Sequence, residues 1–191
     1  MKKLFILFVT ALLAGCAGTM PKQADFDIDI GNQNAGRYPP AVSATVIGRD
    51  DRSEPYVIDY DAAGESRTKI SSRIPPRIQL QESLERGLRR QGLKLREGAD
   101  TAIVVEVKEL LAKVTRPGML YTAKVSTRLR LLVDNHGSRL TLDYNRETDS
   151  DSLTRPKVLD LELMINEQLS DIIQKILRDD RVRTAIVGGQ E

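Results

Sequence analysis

The residues able to do chemistry are few in this chain, and their spacing is telling. There is one cysteine, Cys16, one histidine, His136, and no tryptophan. A single imidazole with no free thiol beside it assembles neither a histidine-based triad nor the usual zinc site. His136 precedes Gly137 between two alternating segments, a tight-turn position where residues are chosen for backbone reasons. Asp149 and Asp151 echo the spacing of a calcium loop, but no glycine follows in place and no glutamate closes the loop, so they read as the polar end of a strand. Asp25, Asp27 and Asp29 alternate with Phe26, Ile28 and Ile30. At a step of ~6.6 Å along a strand, three such carboxylates line one face without converging on an ion. Glu162 and Asn166, one helical turn apart and within the angular span of an apolar stripe, are candidates for a small polar pocket between helix and sheet; the competing reading is that they sit on the stripe's edge and snorkel to water. Arg86, Arg89 and Arg90 make a basic helix face interspersed with Glu82 and Glu85. Nothing singles out a carboxylate pair for hydrolysis, and aromatics at 4% provide little for sugar or base stacking. The expectation is a protein that is not an enzyme and needs neither metal nor cofactor.

Cys16 is another matter. Lys2 and Lys3 precede an apolar run from Leu4 to Leu12 that is too short to span a bilayer, so residues 1–15 read as a secretory signal. The run ends in Leu13-Ala14-Gly15-Cys16, which resembles the lipobox of bacterial lipoproteins at all four positions. That resemblance implies that Cys16 becomes the first residue of the mature protein and carries lipid on its sulfur and its amine. Several acyl chains, at about 0.8 kcal/mol per buried methylene, give firm membrane attachment. The next residue is Ala17 rather than aspartate, and the same resemblance then implies the outer membrane, with the domain on its periplasmic side. The alternative is an ordinary secreted protein whose cysteine merely lies near the cleavage site.

The formal charge of +2 includes Lys2 and Lys3, so the mature chain is close to neutral. Charge balance and compartment both argue against nucleic acid as a partner.

The elements that must carry these residues can be read from periodicity. Residues 16–40, rich in Gly, Asn, Gln and Pro, form the lipidated cysteine and a tether, with an edge strand inside it at Asp25–Ile30. A single periplasmic domain follows over 41–191. Ala41–Ile47 is its first strand, and Gly48–Arg52 a charged turn. Tyr56–Tyr60 and Ser66–Ile70 make a hairpin around Asp61-Ala62-Ala63-Gly64. Pro75 and Pro76 open a helix that Gly92 closes, with Leu80, Leu84 and Leu88 in one row and Gly87 beside them, allowing close approach to a sheet. Ile103, Val105 and Val107 lie in one strand phase, and Leu110, Ala112 and Val114 in the other. A period of two changes phase only with an extra residue, which predicts a bulge at Lys108–Glu109. Pro117-Gly118 signals a type II turn that sets Val114 opposite Tyr121. At His136-Gly137 a two-residue loop sets Val133 opposite Leu140 and Arg130 opposite Asp143. A second helix over Lys157–Arg178 presents Val158, Leu161, Ile165, Leu169, Ile172, Ile173 and Ile176 to the sheet, and a short helical piece runs through Val187. The expected fold class is α+β: an antiparallel, twisted sheet with two main helices packed on one face.

The order of these features resembles the YajG-like family of bacterial lipoproteins. It is carried by the lipobox, Val46-Ile47-Gly48-Arg49-Asp50-Asp51-Arg52, Leu80-Gln81-Glu82-Ser83-Leu84-Glu85 leading to Gln91-Gly92, the two-phase strand Val104–Val114, Tyr121–Leu132, and a closing helix ending at Asp179-Asp180. The resemblance implies an outer-membrane lipoprotein and brings no catalytic residues with it. Two functional expectations follow. One is a non-enzymatic scaffold or adaptor, tied to the membrane through its N-terminal lipid and engaging an envelope protein partner. The other is a ligand-binding or transport-auxiliary lipoprotein, which requires an apolar cavity between Leu84, Leu88, Leu169 and Ile173.

Overall fold

A computed structural model of the chain describes residues 21–188. The signal segment and Cys16 lie outside the described residues. Eight strands form one sheet: β1 (Gln23–Ala24), β2 (Ser43–Asp50), β3 (Tyr56–Asp61), β4 (Thr68–Ser72), β5 (Lys94–Leu95), β6 (Thr101–Thr115), β7 (Tyr121–Asn135) and β8 (Ser138–Ser152). Three helices accompany them among the described residues: α1 (Pro76–Arg90), α2 (Val158–Arg178) and α3 (Asp180–Val187).

The meander β6–β7–β8 is antiparallel, as its turn chemistry requires. The bulge is where the phase change puts it: Val107 pairs with Leu129 and Glu109 with Arg128, leaving Lys108 as the extra residue. The β7–β8 register also agrees with the sequence, with Val133 opposite Leu140 and Arg130 opposite Asp143. His136 and Gly137 both adopt positive φ, 51° and 86°, the type I′ pattern that matches the strand twist. At the other hairpin the register differs. Val114 pairs with Ala123, not Tyr121, because the connection spans Arg116–Leu120 instead of a two-residue turn.

The sheet is not the simple antiparallel one expected; it is mixed and curled into a half-barrel. On the edge of β6 away from β7, β2 pairs in parallel from Ala44 opposite Thr101 to Asp50 opposite Val107, and β3 continues in parallel from Ile58 opposite Ala112 to Asp61 opposite Thr115. The two strands run end to end along one neighbour. The interval between them, Asp51–Pro55, lies abreast of the bulge. There Lys108 Nζ reaches Asp51 at 2.7 Å and Glu106 at 2.8 Å, so the excursion is pinned by charge-assisted hydrogen bonds. Gly48–Asp50, read as the start of a turn, extends β2 instead. Two further parallel pairs, β1 with β4 and β2 with β5, extend the sheet on either side. Long strands with a bulge twist strongly, which accounts for the curl.

All three helices cover one face. Val46, Ile103, Val105, Val107, Leu129, Leu131 and Val133 point into a core completed by Leu80, Leu84, Leu161, Ile165, Leu169 and Ile173. Gly48 is where α1 comes closest to the sheet: a Cβ there would lie 2.1 Å from the Arg77 carbonyl oxygen, and its N–H donates to Gln81 Oε1 at 3.0 Å. Gly87 serves a different contact from the one expected. A Cβ on it would meet Leu177 Cδ1 at 2.4 Å, so it brings α1 against α2 and not against the sheet.

Candidate interaction surfaces

The stretch assigned to a tether is, from Gln23 onward, part of the packed domain. Phe26, Ile28 and Ile30 are buried, and the extended backbone between them is held on both sides. Along α2 a row of side chains at four-residue spacing accepts its amides: Asp25 N–H donates to Glu162 Oε1 at 2.8 Å, Asp27 N–H to Asn166 Oδ1 at 3.0 Å, and Asp29 N–H to Ser170 Oγ at 2.9 Å. From α1, Gln79 Nε2 donates to the Phe26 carbonyl at 2.9 Å and Arg86 Nη2 to that of Ile28 at 3.3 Å. A strand advances ~6.6 Å per two residues and a helix ~6 Å per four, so the two ladders stay in step over this distance.

Glu162 and Asn166 therefore line no pocket between helix and sheet. They face the N-terminal segment and accept its backbone donors on the exposed side of that segment. The alternation Asp25–Ile30 predicted the sidedness correctly, apolar in and acidic out, but the pairing partner is helix side chains. Arg86 is likewise drawn from the basic face of α1 into this clamp. The glutamines were missed as structural residues: Gln168 Nε2, buried on the stripe of α2, donates to the Val125 carbonyl at 3.0 Å, and Gln91 Nε2 to that of Leu177 at 2.7 Å. A glutamine inside an apolar stripe was the available signal.

The outer face of the sheet is a ladder of opposed charges. Arg130 meets Asp143 at 2.8 Å, Arg128 meets Glu109 at 3.1 Å, and Lys124 is paired with Glu147. These exposed pairs neutralise one another and are worth little each in stability. Asp149 stands opposite Lys124 in the β7–β8 register, and Asp151 accepts from Thr122 Oγ1 at 2.8 Å; both sit in the strand as read. On the short hairpin, buried Asp59 is bound by Arg67 through two hydrogen bonds of 3.0 and 2.7 Å, and that hydrogen bonding holds its carboxyl below the usual range. Among the described residues no group of three or more metal-ligating side chains is placed around a common point.

β8 pairs with β7 only, so among the described residues one edge of this 15-residue strand has no strand partner. Between β8 and α2 lies an open cleft of about 480 Å³, lined by Tyr144, Arg146, Asp171, Lys175 and Asp179 among others. Burial pushes the Tyr144 phenol well up from its usual pKa, with the Asp179 carboxylate acting in the same direction.

Residues 32–187 match the model of a family described as "Uncharacterized lipoprotein". The chain belongs to that family. Its fold is shared by a Xanthomonas campestris protein of family DUF330, 13% identical, with a TM-score of 0.55 over 88% of this chain and 96% of that one. A second crystal structure, titled only as an uncharacterized protein, is 10% identical, with a TM-score of 0.50 over 82% of this chain and 97% of that one. A lipoprotein from Neisseria meningitidis is more distant, 11% identical with a TM-score of 0.31 over 72% of this chain and 99% of that one. No curated protein gives a significant sequence match. Membership places the chain among lipoproteins, and no described helix is long and apolar enough to cross a membrane.

Proposed function

We propose that this lipoprotein is of the YajG-like kind, anchored through Cys16 to the outer membrane on its periplasmic face, and that it acts as a non-enzymatic adaptor in an envelope assembly. The observation that carries the reading is the clamp on residues 25–30. A loosely tethered domain reports only that something is nearby. A domain whose backbone is fixed between α1 and α2 from Asp25, nine residues after Cys16, keeps its other surfaces within a bounded reach of the membrane. The surface best suited to a partner is the open edge of β8, which offers main-chain donors and acceptors to an added strand. Most of its charges are already paired, Asp143 and Glu147 across to β7 and Arg146 to Asp171 of α2, so recognition there rests on backbone pairing more than on long-range attraction.

The ligand-binding alternative draws on no observed space. Leu84, Leu88, Leu169 and Ile173, which would have to line its cavity, are all buried in one apolar core.

Photocrosslinking in intact cells from Thr141 and Asn145 on β8 tests the adaptor reading. It predicts one and the same envelope protein from both positions, absent when the probe sits at Glu82 on the far side of α1. Failure to capture any protein neighbour from β8 would count against an adaptor role.

A further inference from the structure

Three structural facts converge on one end of the molecule. The first is direction. As α2 advances, its partners on β8 step backwards: Gln168 meets Thr148, Asp171 meets Arg146, and Asp179 meets Tyr144. The N-terminus of α2 therefore lies at the Ser152 end of the sheet. The clamped segment runs parallel to α2, Asp25 at Glu162 and Asp29 at Ser170, and β1 runs parallel to β4. Followed backwards, the chain leaves the domain at that same end.

The second fact is what stands exposed there. Met119 and Leu120 are in the β6–β7 connection, and Leu153 follows Ser152, which pairs with Tyr121. Leu159 and Leu163 project from the first two turns of α2. Their exposures are 83%, 41%, 77%, 61% and 60%, and they make up five of the six large apolar side chains that stand exposed among the described residues. Isolated exposed leucines need no explanation, but a grouping at one pole does. Exposed Arg116 and Lys157 border the group; long cationic side chains of this kind suit the headgroup layer beside an apolar surface.

The third fact is reach. Five residue steps separate Cys16 from Pro21. Fully extended they span at most about 18 Å.

We infer that this pole is a membrane-contact face: Met119, Leu120, Leu153, Leu159 and Leu163 rest in the interfacial layer of the bilayer that holds the Cys16 lipid. The inference builds on the Cys16 anchor proposed above. With the lipid in the bilayer, the pole is confined within one short span of the surface, where the apolar group exchanges water for acyl chains. The opposite pole, the His136-Gly137 turn, stands farthest off, about 45 Å away along β7 at ~3.3 Å per residue. The lipid supplies attachment and the pole supplies orientation.

The test uses the full lipidated chain reconstituted into vesicles of phosphatidylethanolamine and phosphatidylglycerol. Nitroxide probes are placed singly by Met119→Cys, Leu153→Cys, Leu163→Cys and, as a control, His136→Cys. Collision with oxygen is compared with collision with a water-soluble nickel chelate. The inference predicts that oxygen accessibility exceeds chelate accessibility at least threefold at 119, 153 and 163, with the reverse at 136. Because acylation consumes the Cys16 thiol, the unsubstituted chain must take up no probe and must float with the vesicles. Labelling at Cys16, or failure to float, would overturn the anchor and this inference together. Flotation with the chelate reaching 119 and 153 as freely as 136 would overturn this inference alone. Protection at 119 in native outer membranes but not in pure vesicles would assign the pole to a protein partner and would also overturn it. The substituted sites are exposed, so unchanged melting curves verify that each variant is folded.

Discussion

The backbone N–H of Asp25 donates to the carboxylate of Glu162 at 2.8 Å, joining positions 137 residues apart. That bond is the first rung of the ladder that makes the start of the chain part of the domain. Each rung is a solvent-exposed hydrogen bond, worth about 0.5 kcal/mol net. Glu162→Ala with Asn166→Ala should lower stability by roughly 1 kcal/mol and should speed amide exchange at Asp25 and Asp27 far more than at Val105 or Leu131. Hydrogen exchange resolved by residue measures this, and equal protection of residues 25–29 in wild type and variant would mean that the ladder does not hold the segment.

The two close-approach glycines differ in what they face. The Cβ of Gly48→Ala would meet a main-chain carbonyl at 2.1 Å, which moves only if the whole α1 terminus moves. The Cβ of Gly87→Ala would meet the tip of the Leu177 side chain, which can rotate, and the change gains about 1 kcal/mol of helix propensity. Chemical denaturation should show Gly48→Ala losing roughly 3 kcal/mol and Gly87→Ala 1 kcal/mol or less. The opposite ranking would contradict the packing of α1.

Alkali should unfold the protein through its tyrosines. Burial pushes the Tyr38 and Tyr60 phenols up to about 12, and pushes Tyr144 up as well. A phenol whose folded value is raised stabilises the fold fully below the unfolded value near pH 10, and that contribution is lost as pH rises toward about 12. Tyr60 adds a geometric reason, since its hydroxyl donates to the Pro156 carbonyl at 2.9 Å and phenolate cannot. Denaturation midpoints should be flat up to about pH 10 and should fall steeply beyond it. Phenolate absorbance should rise together with unfolding, and all tyrosines ionising near pH 10 in a still-folded protein would refute the burial argument.

Much of the fold could be read from the residues alone, and the limits have physical causes. The Lys108 bulge was legible because a phase change in a period of two has one remedy. The β7–β8 register was legible because a two-residue turn leaves no freedom. The β6–β7 register slipped by two positions, and alternation offers no protection against that slip: moving Val114 from Tyr121 to Ala123 keeps every side chain on its own face. The parallel pairing of β2 and β3 with β6 was hidden because a crossover leaves no turn signature. For the same reason, Glu162 and Asn166 stood out as polar residues beside an apolar stripe, while their partners, the amides of Asp25 and Asp27, carried no sequence signal.

Attachment and folding should separate cleanly. Cys16→Ala removes the proposed site of acylation and leaves every contact from Gln23 to Val187 intact, so the variant should be lost from the membrane fraction and should melt within about a degree of wild type. A drop of several degrees would mean that the anchor belongs to the fold.

The most direct measurement is the intact mass of the N-terminal peptide of the protein extracted from the membranes of its native cell. The account predicts a chain beginning at Cys16, with lipid on its sulfur and its amine. A peptide beginning elsewhere, or an unmodified Cys16 thiol, would contradict it.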